Sequence, residues 1–337
     1  MKVTKTLAAG LVSLSILATT AACGGSDEGP ADGEMQVMMF PGVAYRLPVM
    51  VAQEKGFFDD ADVKIDIIAQ PNNLQGIQAI EATKSQAGMM SATTFAQGVQ
   101  AGSDVKMFCG GIRYAQSAII ATADSELPSV DDGATPEEVL KALDGKKVGA
   151  QTPAGSGFQM LLEAAFDEAG VKDITWVNVG GSNSVTQASL QNGDVDAAQA
   201  SPPGTQTLEE NGVSKTLIYM PEHTSIYRDL YGSGWVGPTK WLDDNPETAK
   251  SFCDATAKAL DYIADEANHD EVRAIFMKDT GVNDETVADA VLATYVDYSA
   301  DVPVDVLEAS FAKYEELGIT KPEPALDATE LVDTVGR

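Results

Sequence analysis

The chain has 337 residues, of which 44% are hydrophobic and 22% are charged, so it is long enough for about two domains with sizeable cores. Its formal net charge is −29 at pH 7, which makes nucleic acid and anionic lipid surfaces poor partners. We interpret most of this acidity as a well-solvated surface.

The first 22 residues have the pattern of a secretory signal. Lys2 and Lys5 precede an uncharged stretch from residue 7 to 22 that is shorter than the roughly 20 apolar residues of a membrane-spanning helix. The small residues before Cys23 resemble a bacterial lipobox, although Thr20 stands where such motifs usually have leucine. The resemblance implies lipidation of Cys23; the alternative is an ordinary cleavage site followed by a spare cysteine.

The segment that follows the cysteine is polar and rich in glycine. Residues 23–34 contain GGSDEGPADGE, a composition typical of a flexible linker. We therefore expect residues 23–34 to be a tether between the lipid anchor and the folded part.

From residue 35 onward, short β-rich stretches alternate with amphipathic ones, and the alternation occurs twice. The first round includes MQVMMF, VKIDIIA, AGMMS and VKMFC; the second includes KKVGAQT, ITWVNV, VDAAQAS and TLIYM. This order predicts two α/β lobes of like construction, each with a mainly parallel sheet. After Tyr231, GSGWVG predicts a short strand, and Pro246 opens a helical pattern that is followed by further helices.

Few residues suggest catalysis. His223 and His269 are the only histidines, and neither lies in a metal-ligand pattern with cysteines or acids. The chain also lacks the nucleophile-elbow, zinc-protease and phosphate-loop motifs. We therefore expect no enzyme activity, no cofactor and no metal. Cys109 and Cys253 form an even pair in an oxidising compartment and are candidates for one disulfide.

Three stretches carry a family resemblance. PVMVAQEKGFFDDADVKIDII at 48–68, LQNGDVDAAQASPP at 190–203 and WLDDNPETAKSF at 241–252 resemble substrate-binding proteins of ABC importers. The branch they resemble handles nitrate, sulfonates, taurine and thiamine-pyrimidine precursors. Some relatives in it synthesise a thiamine pyrimidine, but the histidine- and cysteine-rich motif expected of those relatives is absent here.

The resemblance implies a type II periplasmic-binding-protein fold, α/β in class, with two Rossmann-like lobes joined by two crossing strands. The crossings would lie near residues 117–122 and 232–236, so that residues 35–120 and 233–337 form lobe I and residues 121–232 form lobe II. Both Cys109 and Cys253 would then lie in lobe I, where they could pair without bridging the hinge.

Ligands of such sheets bind beyond the carboxyl ends of strands, at helix amino termini. Loops in these positions supply hydroxyl groups, which could instead serve only as helix caps. Two arginines beside tyrosines are candidates for holding an anion, or for pairing with surface acids. The candidate ligand contacts are Phe40, Tyr45, Arg46, Ser91, Thr93, Thr94, Arg113, Tyr114, Thr152, Ser156 and Ser201.

These features predict a monomeric, lipid-anchored, extracytoplasmic protein that binds a small sulfonate or carboxylate and delivers it to an ABC permease. Two alternatives remain open: a binder of a neutral thiamine-pyrimidine precursor, and a sensor domain coupled to a receptor. Trp235, on the second crossing, is expected to pack the hinge rather than to contact ligand.

Overall fold

A computed structural model of the protein describes residues 33–70, 73–82, 84–293 and 298–334. Ten strands in these residues form two sheets. The strands are β1 (Glu34–Met39), β2 (Lys64–Ala69), β3 (Ala87–Ser91), β4 (Val105–Cys109), β5 (Ala118–Thr122), β6 (Lys147–Ala150), β7 (Thr175–Asn178), β8 (Ala197–Ala200), β9 (Ser214–Tyr219) and β10 (Ser233–Pro238). The leader, Cys23 and most of the predicted tether lie outside the described residues.

Helices separate most of the strands and form the carboxyl-terminal part. They are α1 (Leu47–Glu54), α2 (Phe57–Asp60), α3 (Asn73–Glu81), α4 (Ala92–Gln100), α5 (Pro136–Lys141), α6 (Gly157–Glu168), α7 (Asn183–Gln191), α8 (Gly204–Glu210), α9 (Met220–His223), α10 (Ser225–Arg228), α11 (Thr239–Asp244), α12 (Pro246–Ala264), α13 (His269–Thr280), α14 (Glu285–Ala293), α15 (Val304–Glu316) and α16 (Ala328–Leu331). Short 3-10 helices cover Ala44–Arg46 and Glu266–Asn268.

The two sheets have the same topology. The first has the order β2-β1-β3-β10-β4 and the second the order β7-β6-β8-β5-β9. In this spatial order, the first three strands of each sheet are parallel to one another. The fourth strand, β10 in the first sheet and β5 in the second, is antiparallel to both of its neighbours. The chain enters the second sheet at β5 and returns to the first sheet at β10. The structure therefore confirms the predicted α/β fold with two lobes and two crossing strands.

The first lobe has a core in which a disulfide joins sheet and helix. The structure joins Cys109, at the end of β4, to Cys253 on α12, with their Cα atoms 5.7 Å apart. Beside them, Trp235 meets Phe252 edge to face, with ring centroids 5.0 Å apart. Trp235 is fully buried in this cluster of the first lobe.

The largest apolar cluster includes residues of both lobes. It contains Phe95 of α4, Leu162 of α6 and Phe311 of α15, and the rings of Phe95 and Phe311 lie 6.4 Å apart. Helix α15 also contacts the second crossing, because Tyr231 N–H donates to Ser310 Oγ at 2.9 Å. Helix α15 therefore packs against both α4 and the segment that leads into β10.

The described part of the chain lacks a membrane-spanning helix and a metal-binding cluster. None of its helices is long and apolar enough to span a membrane. It also contains no group of three or more histidine, cysteine or acidic side chains arranged to hold a metal ion.

Candidate functional site

The start of α4 presents three hydroxyl groups beyond the end of β3. Ser91 has extended backbone and caps the helix, since its Oγ accepts the Thr94 N–H at 3.2 Å. The same oxygen lies 3.1 Å from Thr93 Oγ1 and 2.9 Å from Thr94 Oγ1. Ser91 therefore does cap the helix, and together with Thr93 and Thr94 it groups three hydroxyls at the positive end of α4.

The start of α6 repeats this arrangement in the second lobe. Ser156 caps the helix by accepting the Gln159 N–H at 3.3 Å, and its hydroxyl donates to Thr152 Oγ1 at 2.9 Å. The first residue of the helix is Gly157, and the helix has twelve residues. Two further predicted contacts, Thr152 and Ser156, thus lie together.

The amino ends of α4 and α6 meet across the two lobes. A Cβ atom placed on Gly157 would lie 2.6 Å from Thr93 Cβ and 3.0 Å from its Oγ1, closer than real Cβ contacts. Only glycine at position 157 therefore lets the helix ends approach this far. The partial positive charges of both helices consequently act on the same region between the lobes.

Around Ser201, the second lobe contributes an uncharged polar network. Ser201 Oγ lies 2.9 Å from Gln151 Oε1 and 3.0 Å from the Gln116 carbonyl oxygen. The fully buried Gln199 accepts the Gln151 N–H at 3.1 Å and donates to Ser117 Oγ at 3.0 Å. Tyr219 OH donates to Gln116 Oε1.

The sequence analysis named Ser201 as a candidate contact but did not name the glutamines of this network. A usable signal existed, because Gln151 directly follows β6 and Gln199 lies one residue before the end of β8. Amide side chains both donate and accept hydrogen bonds, so this wall of the cleft is polar without carrying charge.

In the first lobe, the loop between β1 and α1 holds Arg46 in a nearly enclosed ion pair. Arg46 Nη2 lies 2.9 Å from Asp279 Oδ1 at the end of α13, and the two side chains are only 12% and 10% exposed. Arg46 Nη1 donates to the Phe40 carbonyl oxygen at 3.5 Å. Burial raises the pKa of Asp279, and the nearby guanidinium opposes that rise. Sequence reasoning did not identify Asp279.

Phe40 and Tyr45 belong to the same loop as Arg46. Phe40 is partly buried, and Tyr45 packs against the apolar cluster of the first lobe. Burial raises the pKa of the Tyr45 phenol, against the smaller effects of a backbone hydrogen bond with Phe40 and of the nearby Arg46 charge. Tyr298 OH donates to the Tyr45 carbonyl oxygen at 3.3 Å, which ties the loop to the carboxyl-terminal part.

Arg113 and Tyr114 lie in a different place. The Arg113 guanidinium sits over the Tyr114 ring, 5.6 Å from its centroid. Both line a groove of about 330 Å³, whose other lining residues are Arg228, Asp229, Tyr231, Pro303 and Val306. The helix starts described above do not line this groove. The other predicted contacts lie at or just after the ends of β1, β3, β6 and β8. Ligand contact stays a prediction for all of them, as it does for Arg113 and Tyr114.

Comparisons with known proteins agree on family and fold. The family described as NMT1/THI5 like matches residues 44–269. None of the curated proteins compared is similar enough to count as a match.

Among solved structures, the chain is similar to the alkanesulfonate-binding protein SsuA from Xanthomonas axonopodis pv. citri bound to MOPS, with a TM-score of 0.71, 16% identity and coverage of 90% of this chain and 99% of that one. It is also similar to the periplasmic aliphatic sulphonate-binding protein SsuA from Escherichia coli. The TM-score is 0.69, the identity is 16%, and the match covers 90% of this chain and 92% of that one. A third match is the periplasmic nitrate-binding protein NrtA from Synechocystis PCC 6803. The TM-score is 0.70, the identity is 13%, and the match covers 91% of this chain and 87% of that one.

Proposed function

The chain belongs to the NMT1/THI5-like family, and we propose that it is an extracytoplasmic solute-binding lipoprotein of an ABC importer. It captures a small organic anion, a sulfonate or carboxylate, between its lobes and hands it to a membrane permease. The observation that carries this proposal is the meeting of the α4 and α6 amino ends at Thr93 and Gly157. Two helix ends that act on one region favour bound negative charge.

Local donors must provide this selectivity, because the protein as a whole repels anions. Its net charge of −29 acts at long range but is screened by salt over about 8 to 10 Å. Hydroxyl groups and helix N–H groups act at contact distance and are little screened once the lobes close. The solved structures of similar fold support the choice of anion, since two are named as sulfonate binders and one as a nitrate binder.

The proposal includes lobe closure around residues 117–122 and 232–236, with lobe I formed by residues 35–120 and 233–337 and lobe II by 121–232. Type II binding proteins close on ligand by hinge motion of this kind. The ligand leaves chemically unchanged, so the protein acts as a carrier and not as an enzyme. Recovering an altered ligand after prolonged incubation would contradict this part.

Lipidation of Cys23 places the carrier at the outer face of the membrane. Several acyl chains together give stable anchoring, whereas one gives only marginal binding. Mass spectrometry of the native amino-terminal peptide tests this directly: we expect an acylated cysteine at position 23. An unmodified thiol there would contradict the lipoprotein assignment while leaving the ligand proposal intact.

One observation favours a second candidate ligand, a neutral pyrimidine. The network around Ser201 and Gln151 is uncharged and can both donate and accept, which suits a polar heterocycle. A thermal-shift screen over butanesulfonate, butanoate, nitrate and 4-aminopyrimidine separates the two. We expect the sulfonate or the carboxylate to raise the melting temperature most; a larger shift with 4-aminopyrimidine would replace the anion proposal.

A further inference from the structure

Strand β10 carries two buried polar atoms that have no hydrogen-bond partner in residues 33–70, 73–82, 84–293 and 298–334. They are Ser233 Oγ and Trp235 Nε1, in side chains whose residues are 8% and 0% exposed. Residues two apart in a strand point to the same face of the sheet. Both unpartnered groups therefore belong to one face of the second crossing strand.

This face begins beside the helix start already described. Ser233 is paired with Ser91 across the strands, and Trp235 is paired with Met89. Directly paired residues share a face, with Cβ atoms roughly 4.5 to 5.5 Å apart. The junction is tight as well, because Ala92 N–H donates to the Gly232 carbonyl oxygen at 3.0 Å. The Ser233 hydroxyl is thus a neighbour of the Ser91 hydroxyl at the amino end of α4.

Packing alone does not account for an indole at position 235. Its ring meets Phe252 edge to face, a contact that a phenylalanine could also make. The indole N–H, by contrast, loses its hydration without gaining a hydrogen bond when it is buried with no acceptor, which disfavours the folded state. Buried groups without a partner are rare in native proteins, and each one calls for an explanation such as water, an ion or a ligand.

A third atom of the same kind lies in the first lobe. Arg46 Nε is buried and has no hydrogen-bond partner within the described part of the chain. Tyr45, the residue before it, packs against the same apolar cluster that contains Trp235. An indole N–H and a guanidinium N–H can only donate, whereas a serine hydroxyl can do either. The unpartnered indole and guanidinium N–H groups of this region therefore lack acceptors.

We propose that Ser233 and Trp235 complete the first-lobe side of the ligand site and donate hydrogen bonds to oxygens of the bound headgroup. This inference rests on the proposed function and deepens it, because the Trp235 indole N–H can only donate and therefore requires an acceptor atom on the headgroup. A sulfonate or carboxylate meets that requirement. An aminopyrimidine presents acceptors only at its ring nitrogens, and its amino group donates, so it matches these groups less completely.

The test uses the indole resonances of the protein, which has three tryptophans. In ¹H–¹⁵N spectra of the mature protein, Trp235→Phe identifies the signal of residue 235. Adding butanesulfonate to wild type should move that signal downfield and slow its exchange with water, because the N–H gains an acceptor. Trp241→Phe is the matched control, since Trp241 packs against the same cluster from α11.

Affinities measured by calorimetry complete the experiment. Trp235→Phe and Ser233→Ala should each weaken butanesulfonate binding about tenfold or more, the usual effect of losing a hydrogen bond to a charged group. The ligand-free melting temperature should fall in Trp235→Phe, because the smaller ring leaves a cavity in the core, so affinities are measured well below that temperature. Trp241→Phe should bind as wild type does.

Two results would overturn the inference, and only the second would also overturn the proposed function. If wild type binds butanesulfonate but both β10 variants bind it equally well and the Trp235 signal stays in place at saturation, the inference fails and the proposed function stands. If wild type binds 4-aminopyrimidine and none of butanesulfonate, butanoate and nitrate, both fail.

Discussion

Arg46 Nη2 lies 2.9 Å from Asp279 Oδ1, so the cation predicted to receive an anionic ligand already has a partner inside the protein. The pair joins the loop after β1 to the end of α13. A carboxylate near a helix carboxyl end is disfavoured by the helix dipole and also by burial, so Arg46 is its main source of stabilisation. Asp279 is therefore placed to compete with a ligand for the guanidinium.

This competition gives opposite expectations for the two partners. Arg46→Ala should weaken butanesulfonate binding about 30-fold or more, because the ligand loses a desolvated charge partner. Asp279→Asn should strengthen binding several-fold, because Arg46 is no longer neutralised in the empty protein. Calorimetry on both variants measures these effects. Arg228→Ala is the matched control, since Arg228 is exposed and pairs with its neighbour Asp229; a loss of affinity in Asp279→Asn would show that Asp279 orients Arg46 and does not compete.

The stability of the ligand-free protein should depend on pH through Asp279. Burial raises its pKa above the ordinary value of 3.8, against the effect of Arg46. Asp279 therefore contributes stability below the unfolded pKa, and that contribution is lost as pH rises through the folded pKa. The free energy of unfolding of Asp279→Asn relative to wild type should accordingly increase between about pH 3 and pH 7.

Urea unfolding at several pH values measures this difference, and any constant effect of leaving Arg46 unpaired cancels from the trend. Asp229→Asn, at an exposed position, serves as the control and should show no comparable trend. A flat difference for Asp279→Asn, or one that decreases as pH rises, would show that burial does not dominate at this carboxyl group.

A side chain at position 157 should hinder the approach of the lobes. The Cβ of Gly157→Ala would meet Thr93 of the other lobe at 2.6 Å, and relieving such an overlap typically costs about 1 to 3 kcal/mol. Because the clash exists only when α4 and α6 meet, we expect about tenfold weaker binding of butanesulfonate. Small-angle scattering with ligand should also report a more open average shape.

The control for this variant is Gly181→Ala, since a Cβ there has no atom within 4 Å. It should bind and close as wild type does. Unchanged affinity in Gly157→Ala would mean that the contact between the helix ends is not needed for capture.

The disulfide should stabilise the first lobe without controlling ligand binding. Cys109 and Cys253 are 144 residues apart, a separation for which chain entropy predicts about 5 kcal/mol of stabilisation, less any native strain. A Cys109→Ala, Cys253→Ala double variant should therefore unfold at markedly lower urea concentration. Its affinity for butanesulfonate should change little, since both cysteines lie in the core of one lobe. Two free thiols in unfolded, secreted wild type would contradict the bridge.

Local sequence patterns predicted the features that depend on nearby residues. The alternation of strands and helices indicated two similar lobes, and hydroxyl residues after strands indicated Ser91 and Ser156 at helix starts. Both are consequences of backbone capping and periodicity, which short segments reveal. The antiparallel direction of β5 and β10 could not be read this way, because it depends on where the chain crosses between lobes.

Contacts between distant parts of the chain account for what the sequence did not reveal. Arg46 and Arg113 each adjoin a tyrosine, so their sequence contexts do not distinguish them. In the structure, Arg46 forms a largely buried ion pair with Asp279, whereas Arg113 lines a groove beside Tyr231. The unpartnered atoms of Ser233 and Trp235 become visible only when every neighbour is known. Burial and pairing of this kind are properties of the folded chain.

The central claim, that the two lobes hold a small organic anion, is tested most directly by calorimetric titration of the mature protein with butanesulfonate, butanoate, nitrate and 4-aminopyrimidine under identical salt conditions. We expect one molecule of sulfonate or carboxylate to bind per chain, more tightly than 4-aminopyrimidine, and Arg46→Ala to lose most of that affinity. Tighter binding of 4-aminopyrimidine than of every anion, with Arg46→Ala unaffected, would contradict the account.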